Sequence, residues 1–184
     1  LRVPFTNPTE DEKCISYLSN IQNWKALRAL PVRYDARTIK FQIEFNEPDL
    51  HSVLKVPQRL FPFEAFAEIG AYHADRILGV RRIPPTAYAC IPKQLIREMM
   101  KRDGGHVECD EETLKESGVK SYNEMVEKEI LKFSEKSSYN VDDHGDCVGV
   151  SVQPLMADVH HLLDSALVVP YKTHDKSWHG YFNF

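Results

Sequence analysis

Long apolar runs are missing from this 184-residue chain, and none is long enough to cross a bilayer as a helix. Glycine is scarce, at 8 residues, and there is no Gly-x-Ser-x-Gly elbow, Walker loop or dinucleotide fingerprint. The four cysteines, Cys14, Cys90, Cys109 and Cys147, are far apart and form no C-x-x-C pair, so no zinc spacing is met. They allow three full pairings, which the sequence does not separate, and an all-reduced chain is equally compatible with it. Asn-x-Ser/Thr acceptors are also missing, because Asn7-Pro8-Thr9 carries a proline in the middle. A basic excess is lacking too: the formal charge of −4 excludes a general nucleic-acid binder. The N-terminus has no signal-peptide pattern, and no internal repeat or low-complexity tract occurs.

What is present is a globular composition, 42% hydrophobic and 27% charged, enough to bury a core. The length fits one domain or part of a larger one, and a chain beginning at Leu1 reads as a fragment or a processed product. Thr9-Glu10-Asp11-Glu12 reads as a capping box, and Cys14, Leu18 and Ile21 recur at helical spacing, predicting an amphipathic helix to about Leu30. Thr38 to Phe45 alternates apolar and polar residues, the period of a half-buried strand. Asn46-Glu47-Pro48-Asp49 is a turn, and Ser52 to Val56 is the antiparallel return. After Pro62 comes a helix in which Ala67, Ala71, Ala74 and Leu78 form a narrow stripe expected to lie against the sheet. Gly79 is its predicted C-cap, and Pro84-Pro85 prevents continuation. Thr86 to Ile91 reads as a strand, and Lys93 to Lys101 as a short helix closed by Gly104-Gly105.

Residues 106–146 turn acidic and helical. Asp110 to Ser117 reads as a helix ended by Gly118, and Ser121 to Glu124 as a capping box. Tyr122, Met125, Val126, Ile130 and Phe133 follow as one apolar face, read as core packing. Val148 to Gln153 returns to strand character, Pro154 breaks it, and Val159 to Leu167 looks helical. The predicted class is α+β. It comprises an N-terminal helical segment (1–37), a sheet-based core (38–105), an acidic helical insertion (106–146) and a last strand with its continuation (147–184).

The chemistry concentrates in a strand lysine, Lys55, followed by a helix glutamate, Glu68. Protein kinases clamp ATP phosphates with such a pair: a cation is needed near the α- and β-phosphates, and a carboxylate holds it in place. The string Ala67-Glu68-Ile69, Ala71, His73, Asp75-Arg76-Ile77-Leu78, Arg81-Arg82 and Pro84-Pro85 resembles the secretory-pathway kinases of the family-with-sequence-similarity-20 group. These include a Golgi kinase of secreted proteins, a xylose kinase of proteoglycan synthesis and a pseudokinase partner. The likeness extends to Lys93-Gln94-Leu95-Ile96-Arg97, and less strictly to Thr38–Phe45 and Val150–Val159; it spans somewhat under half of the chain.

The resemblance implies a kinase-like small lobe, an antiparallel sheet packed on a helix, with a helical insertion before the hinge. It implies Lys55 as the nucleotide-phosphate lysine and Glu68 as the carboxylate for a divalent ion, Mn2+ or Mg2+. Gln153, Pro154, Leu155 and Met156 fall where the hinge holds adenine. By the same resemblance the cofactor is ATP and the acceptor is a hydroxyl of a secreted protein or a proteoglycan glycan. The compartment is the Golgi lumen or the secreted space, disulfides are expected, and a homo- or hetero-dimer with a related kinase is a further implication. Glu68 is missing from the pseudokinase branch, so its presence leans toward the competent branches. The chain departs from the family in having no glycine-rich loop and an acidic insertion in place of a cysteine-rich segment. It also has no Asp-Arg-His-like segment and no Asp-Asn-Gly, so by itself it is expected to be inactive; an isolated small lobe would also leave its face toward the large lobe uncovered, and is expected to be marginally stable and prone to associate. The alternative function is a pseudokinase-like module that activates a partner kinase.

Other polar groups read as structural. Asp142, Asp143, His144, Asp146 and Cys147 read as a polar loop, and His160 and His161 cannot readily chelate one ion from adjacent helix positions. His73 reads as a packing histidine. Asp75-Arg76 with Arg81-Arg82 reads as an ion-pair network fixing a helix end.

Overall fold

The structure is a computed structural model that describes residues 7–33, 38–136 and 146–155. Its first helix, α1 (Pro8–Ser19), is capped by Asn7, whose side chain accepts the Thr9 N–H at 3.1 Å. The helix stops well short of Leu30. Asn20 accepts from the Gln22 N–H and starts a 3-10 turn over Ile21–Asn23. The Asn23 amide and the Trp24 indole N–H then donate to the carbonyls of Tyr17 and Leu18, each at 2.9 Å, satisfying the helix's last acceptors. Residues expected to continue the helix instead form β1 (Trp24–Ala29), because the edge of a sheet is there to pair with them.

The sheet continues with β2 (Lys40–Phe45), β3 (His51–Lys55), β4 (Ala87–Pro92) and β5 (Cys147–Pro154). Every neighbouring pair is antiparallel, and the strand order is β1-β2-β3-β5-β4. One face is apolar: Phe41, Ile43 and Phe45 of β2 and Leu54 of β3 are buried beside Ala87, Ala89 and Ile91 of β4 and Val148, Val150 and Val152 of β5. Strand alternation puts Lys40, Lys55 and Gln153 on the opposite face. The apolar face shares one core with Leu18 of α1, with Ile96 and Met99 of α3 (Lys93–Asp103), and with Tyr122, Met125 and Val126 of α5 (Tyr122–Val126). Burying these side chains against the sheet is the main source of stability.

The insertion begins after α3 with α4 (Glu111–Ser117), capped by Asp110 and ended by Gly118 at φ 62°, a left-handed position that favours glycine. A π-helical turn over Glu127–Leu131 links α5 to α6 (Lys132–Lys136). Tyr122, Met125, Val126 and Ile130 of the predicted apolar face enter the core, but Leu131 joins them in place of Phe133, which is only half-buried, because the extra residue of the π-helical turn shifts the phase of the face. Cys90 and Cys147 form a disulfide with Cα atoms 5.6 Å apart, closing the chain between β4 and β5; Cys14 and Cys109 are free.

The helix α2 (Glu64–Ile77) lies between β3 and β4 in sequence. The expected stripe of Ala67, Ala71, Ala74 and Leu78 faces solvent instead, with Leu78 75% exposed. The helix buries Ala65, Tyr72 and Asp75, and turns Glu64, Glu68 and Arg76 inward. Ion pairing to neighbouring elements decided its rotation, against a weakly apolar stripe of alanines. Gly79 follows at φ 69°, as the predicted cap. Among the described residues, no helix is long and apolar enough to cross a membrane.

Candidate functional site

β3 ends at Lys55, on the face away from the apolar core, where α2 crosses near β5. Two carboxylates of α2 meet its ammonium: Glu68 Oε1 by direct contact, and Glu64 Oε1 at 3.6 Å. Glu64 and Glu68 are four residues apart and so project from one side of the helix. All three side chains are largely buried, between 17% and 28% exposed.

Both carboxylates are held from a second side. Gln153 of β5 donates its amide to Glu68 Oε2 at 3.2 Å and to Thr86 Oγ1 at 2.8 Å, while the Thr86 hydroxyl donates to the Pro84 carbonyl at 3.0 Å. Thr38 donates to Glu64 Oε1 at 3.0 Å, and the Gln58 amide donates to Glu64 Oε2 at 3.3 Å. Gln58 is itself fixed by Ile39, donating to its carbonyl at 3.1 Å and accepting from its N–H at 2.9 Å. Lys40 stands directly across the ladder from Lys55 on the same face. Two lysines so paired repel, and the carboxylates of α2 offset that repulsion.

The site therefore brings together three of the predicted residues, Lys55, Glu68 and Gln153. Gln153 and Pro154 are paired strand residues opposite Val53 and Ser52, and the Gln153 side chain turns to Glu68. Leu155 lies past the strand and is 52% exposed; its N–H donates to the His51 carbonyl at 2.8 Å. Met156 lies outside the described residues, as do Asp142, Asp143, His144, His160, His161 and the helix expected over Val159–Leu167. Glu64, Thr38, Gln58, Thr86 and Lys40 did not emerge from the sequence. The spacing of Glu64 from Glu68 held a usable signal; Gln58 and Thr86 had none, because folding alone brings them near. Among the described residues no three His, Cys, Asp or Glu side chains gather as a metal set.

The far end of α2 is locked by charge. Arg76 pairs with Asp75 and donates to Asp11 of α1 at 2.6 Å, and its guanidinium lies 4.4 Å from the centre of the Tyr72 ring. Asp75 also accepts the Arg82 N–H at 3.0 Å. Burial pushes the Asp75 pKa up, but the backbone N–H groups of Arg82 and Ile83 and the Arg76 guanidinium overcome it and hold the carboxyl below its ordinary value. The network anticipated for Asp75 and Arg76 is there in part: Asp11 supplies the second carboxylate, and Arg82 joins through its backbone N–H while its side chain is exposed. His73, by contrast, is exposed beside Tyr72 and is not a packing histidine. Compared with known proteins, the chain matches no family model, no curated protein and no solved structure.

Proposed function

We propose that this chain carries the small lobe and the start of the hinge of an ATP- and divalent-metal-dependent kinase of the secretory pathway. The observation that carries this reading is the convergence of Lys55 from the third strand and Glu68 from the following helix. The strand order supports it, with the helix between the third and fourth strands in sequence and the fifth strand inserted between those two in the sheet. So does Lys40, which the strand register sets beside Lys55 on the same face as a second cation for a polyanion. In this reading Lys55 orients the α- and β-phosphates. Glu68 holds Lys55 and, with lone pairs left on both oxygens, takes part in holding Mn2+ or Mg2+. The backbone around Gln153 to Met156 meets adenine, while the Gln153 side chain fixes Glu68. Transfer to a hydroxyl of a secreted protein or glycan then needs an aspartate that this sequence does not supply in an Asp-Arg-His-like or Asp-Asn-Gly segment. Residence in the Golgi lumen or outside the cell belongs to the same proposal, as does pairing with a related kinase.

A second reading is a pseudokinase-like binding module. It draws on the connection between β1 and β2, Leu30 to Ile39, whose sequence contains no glycine and so lacks the glycine-rich pattern of a kinase phosphate loop. Binding of a fluorescent ribose-labelled ATP analogue separates the two. The kinase reading expects Mn2+-dependent binding that weakens about tenfold or more in Lys55→Met. Binding indifferent to Mn2+ and to Lys55 sinks it. The loss of metal dependence in Glu68→Gln, with nucleotide still bound, would assign the metal to that carboxylate.

A further inference from the structure

Between the residues that follow β3 and the helical insertion lies a pocket distinct from the Lys55 cluster. Its floor is Glu129, 1% exposed and set in the π-helical turn. Such turns recur at functional sites, because the extra residue reorients a side chain that an ordinary helix would place elsewhere. Arg59 holds one carboxylate oxygen, donating to Glu129 Oε1 from Nε at 3.1 Å and from Nη2 at 2.8 Å. The other oxygen, Oε2, is buried and has no hydrogen-bond partner among the described residues. An ionised oxygen without a donor bears its full desolvation cost, so this atom is arranged for a donor that comes from elsewhere.

The rest of the lining defines that donor. Thr113 and Ser117, 2% and 1% exposed, bring hydroxyls to the same space. The Thr113 hydroxyl donates to Asp110 at 2.8 Å, which leaves its oxygen free to accept. Leu60, Phe61 and Met125 make an apolar wall, with Leu60 46% and Phe61 40% exposed at the surface. Among the described residues, the only charged side chains in the lining are two carboxylates, Glu116 and Glu129. The inner space is about 20 Å3, room for one water-sized group and too small for a guanidinium or a quaternary ammonium. A hydrated divalent cation is also a poor match, since it takes six or more oxygen ligands and this wall is half hydrocarbon.

We propose that this pocket receives a primary alkylammonium, the end of a lysine side chain from a partner polypeptide. The ammonium donates to Glu129 Oε2 and to the Thr113 and Ser117 hydroxyls, three donors for three acceptors. The methylenes lie against Leu60, Phe61 and Met125, as lysine stems do on apolar surface. This inference does not rest on the kinase reading. It defines a recognition point on the insertion, across Gln58 from the catalytic candidate.

The test uses the whole chain and Nα-acetyl-lysine methylamide as the probe, followed through the backbone amide resonances of Thr113, Ser117 and Glu129. The expected result is a saturable movement of these resonances at tens of millimolar. The Nε-acetylated compound, of the same stem but uncharged, should leave them in place, as should sodium chloride at matched ionic strength. Glu129→Gln should weaken the response about tenfold or more. Because that change also disturbs Arg59, Ser117→Val provides the second variant: it keeps the Arg59–Glu129 pair, fills the pocket and should abolish the response. Equal movement with the acetylated compound or with salt alone, no saturable movement at all, or an undiminished response in Ser117→Val would each overturn the proposal and leave a water-filled pocket.

Discussion

Reduction of the Cys90–Cys147 disulfide should lower the stability of this chain by about 4 kcal/mol. The bridge closes a loop whose ends are 57 residues apart, and the chain-entropy relation for a loop of that size gives roughly that figure, mostly through the unfolded state. The closed segment runs from α3 through α6, so the cross-link restrains the whole insertion when the chain unfolds. In the folded state the staple sits where β4 and β5 finish pairing, next to the Lys93 N–H donation to the Asp146 carbonyl at 2.9 Å. Little native structure depends on it, and the β4–β5 ladder should persist when it is cut. The assay is urea unfolding followed by far-ultraviolet circular dichroism, with and without a dithiol reductant. Mass spectrometry after alkylation counts the free thiols, and the expected count is two oxidised and four reduced. With a slope of about 2 kcal/mol per molar, the midpoint should drop by about 2 M on reduction. Coincident midpoints, with the thiol count showing the bond intact before reduction, would refute the loop-entropy argument. A count of four free thiols in the untreated protein would refute the pairing itself.

Further outcomes follow from the site and the core. Glu68→Gln should cost about 1 kcal/mol or less, because Glu64 remains beside Lys55, whereas the double change Glu64→Gln with Glu68→Gln should cost about 2 kcal/mol or more by leaving a largely buried ammonium without a carboxylate; urea midpoints check both, and equal losses would count against a shared lysine. Asp75 has a folded-state pKa below its unfolded value, so its contribution is present above about pH 4 and is lost as the pH falls through the folded value; Asp75→Asn should flatten the acid limb of a stability–pH profile, and an unchanged limb would remove it from the account. Phe41→Ala, at a fully buried position, should cost about 3–5 kcal/mol, while Val53→Ala on the opposite face of the sheet should cost clearly less in the same titration. Burial raises the pKa of the free thiols of Cys14 and Cys109, so both should react slowly with a thiol reagent near neutral pH and faster as the pH rises; rapid reaction of either at neutral pH would contradict its placement.

Local patterns were legible where a residue's role is set by its near neighbours. The alternation over Thr38–Phe45 became β2, and Gly118 and Gly79 adopted the left-handed backbone expected of helix caps. Tyr122, Met125, Val126 and Ile130 found the core as their spacing predicted, while the π-helical turn put Leu131 there in place of Phe133. The other readings that failed required a partner from elsewhere in the chain. Trp24–Ala29 carries a pattern that suits a helix as well as a strand, and pairing with β2 chose the strand. The alanine stripe of α2 looked like a packing face, yet the side turned inward is the one bearing Glu64, Glu68, Tyr72 and Arg76. Apolar side chains as small as alanine bury little area, so they could not outweigh ion pairs to Lys55 and Asp11.

By itself, the sequence determined the α+β class, the antiparallel pair ending in Lys55, the helix bearing Glu68 and the apolar sides of most elements. Each follows from periodicity and turn chemistry within a few residues. The tertiary structure decided which residues meet. It gave Lys55 two carboxylates, placed Gln153 and Thr86 behind Glu68, joined Cys90 to Cys147 while leaving Cys14 and Cys109 free, and left one oxygen of Glu129 facing a pocket. Those encounters join residues far apart along the chain, and their geometry is set by strand register and helix rotation, which no local window encodes.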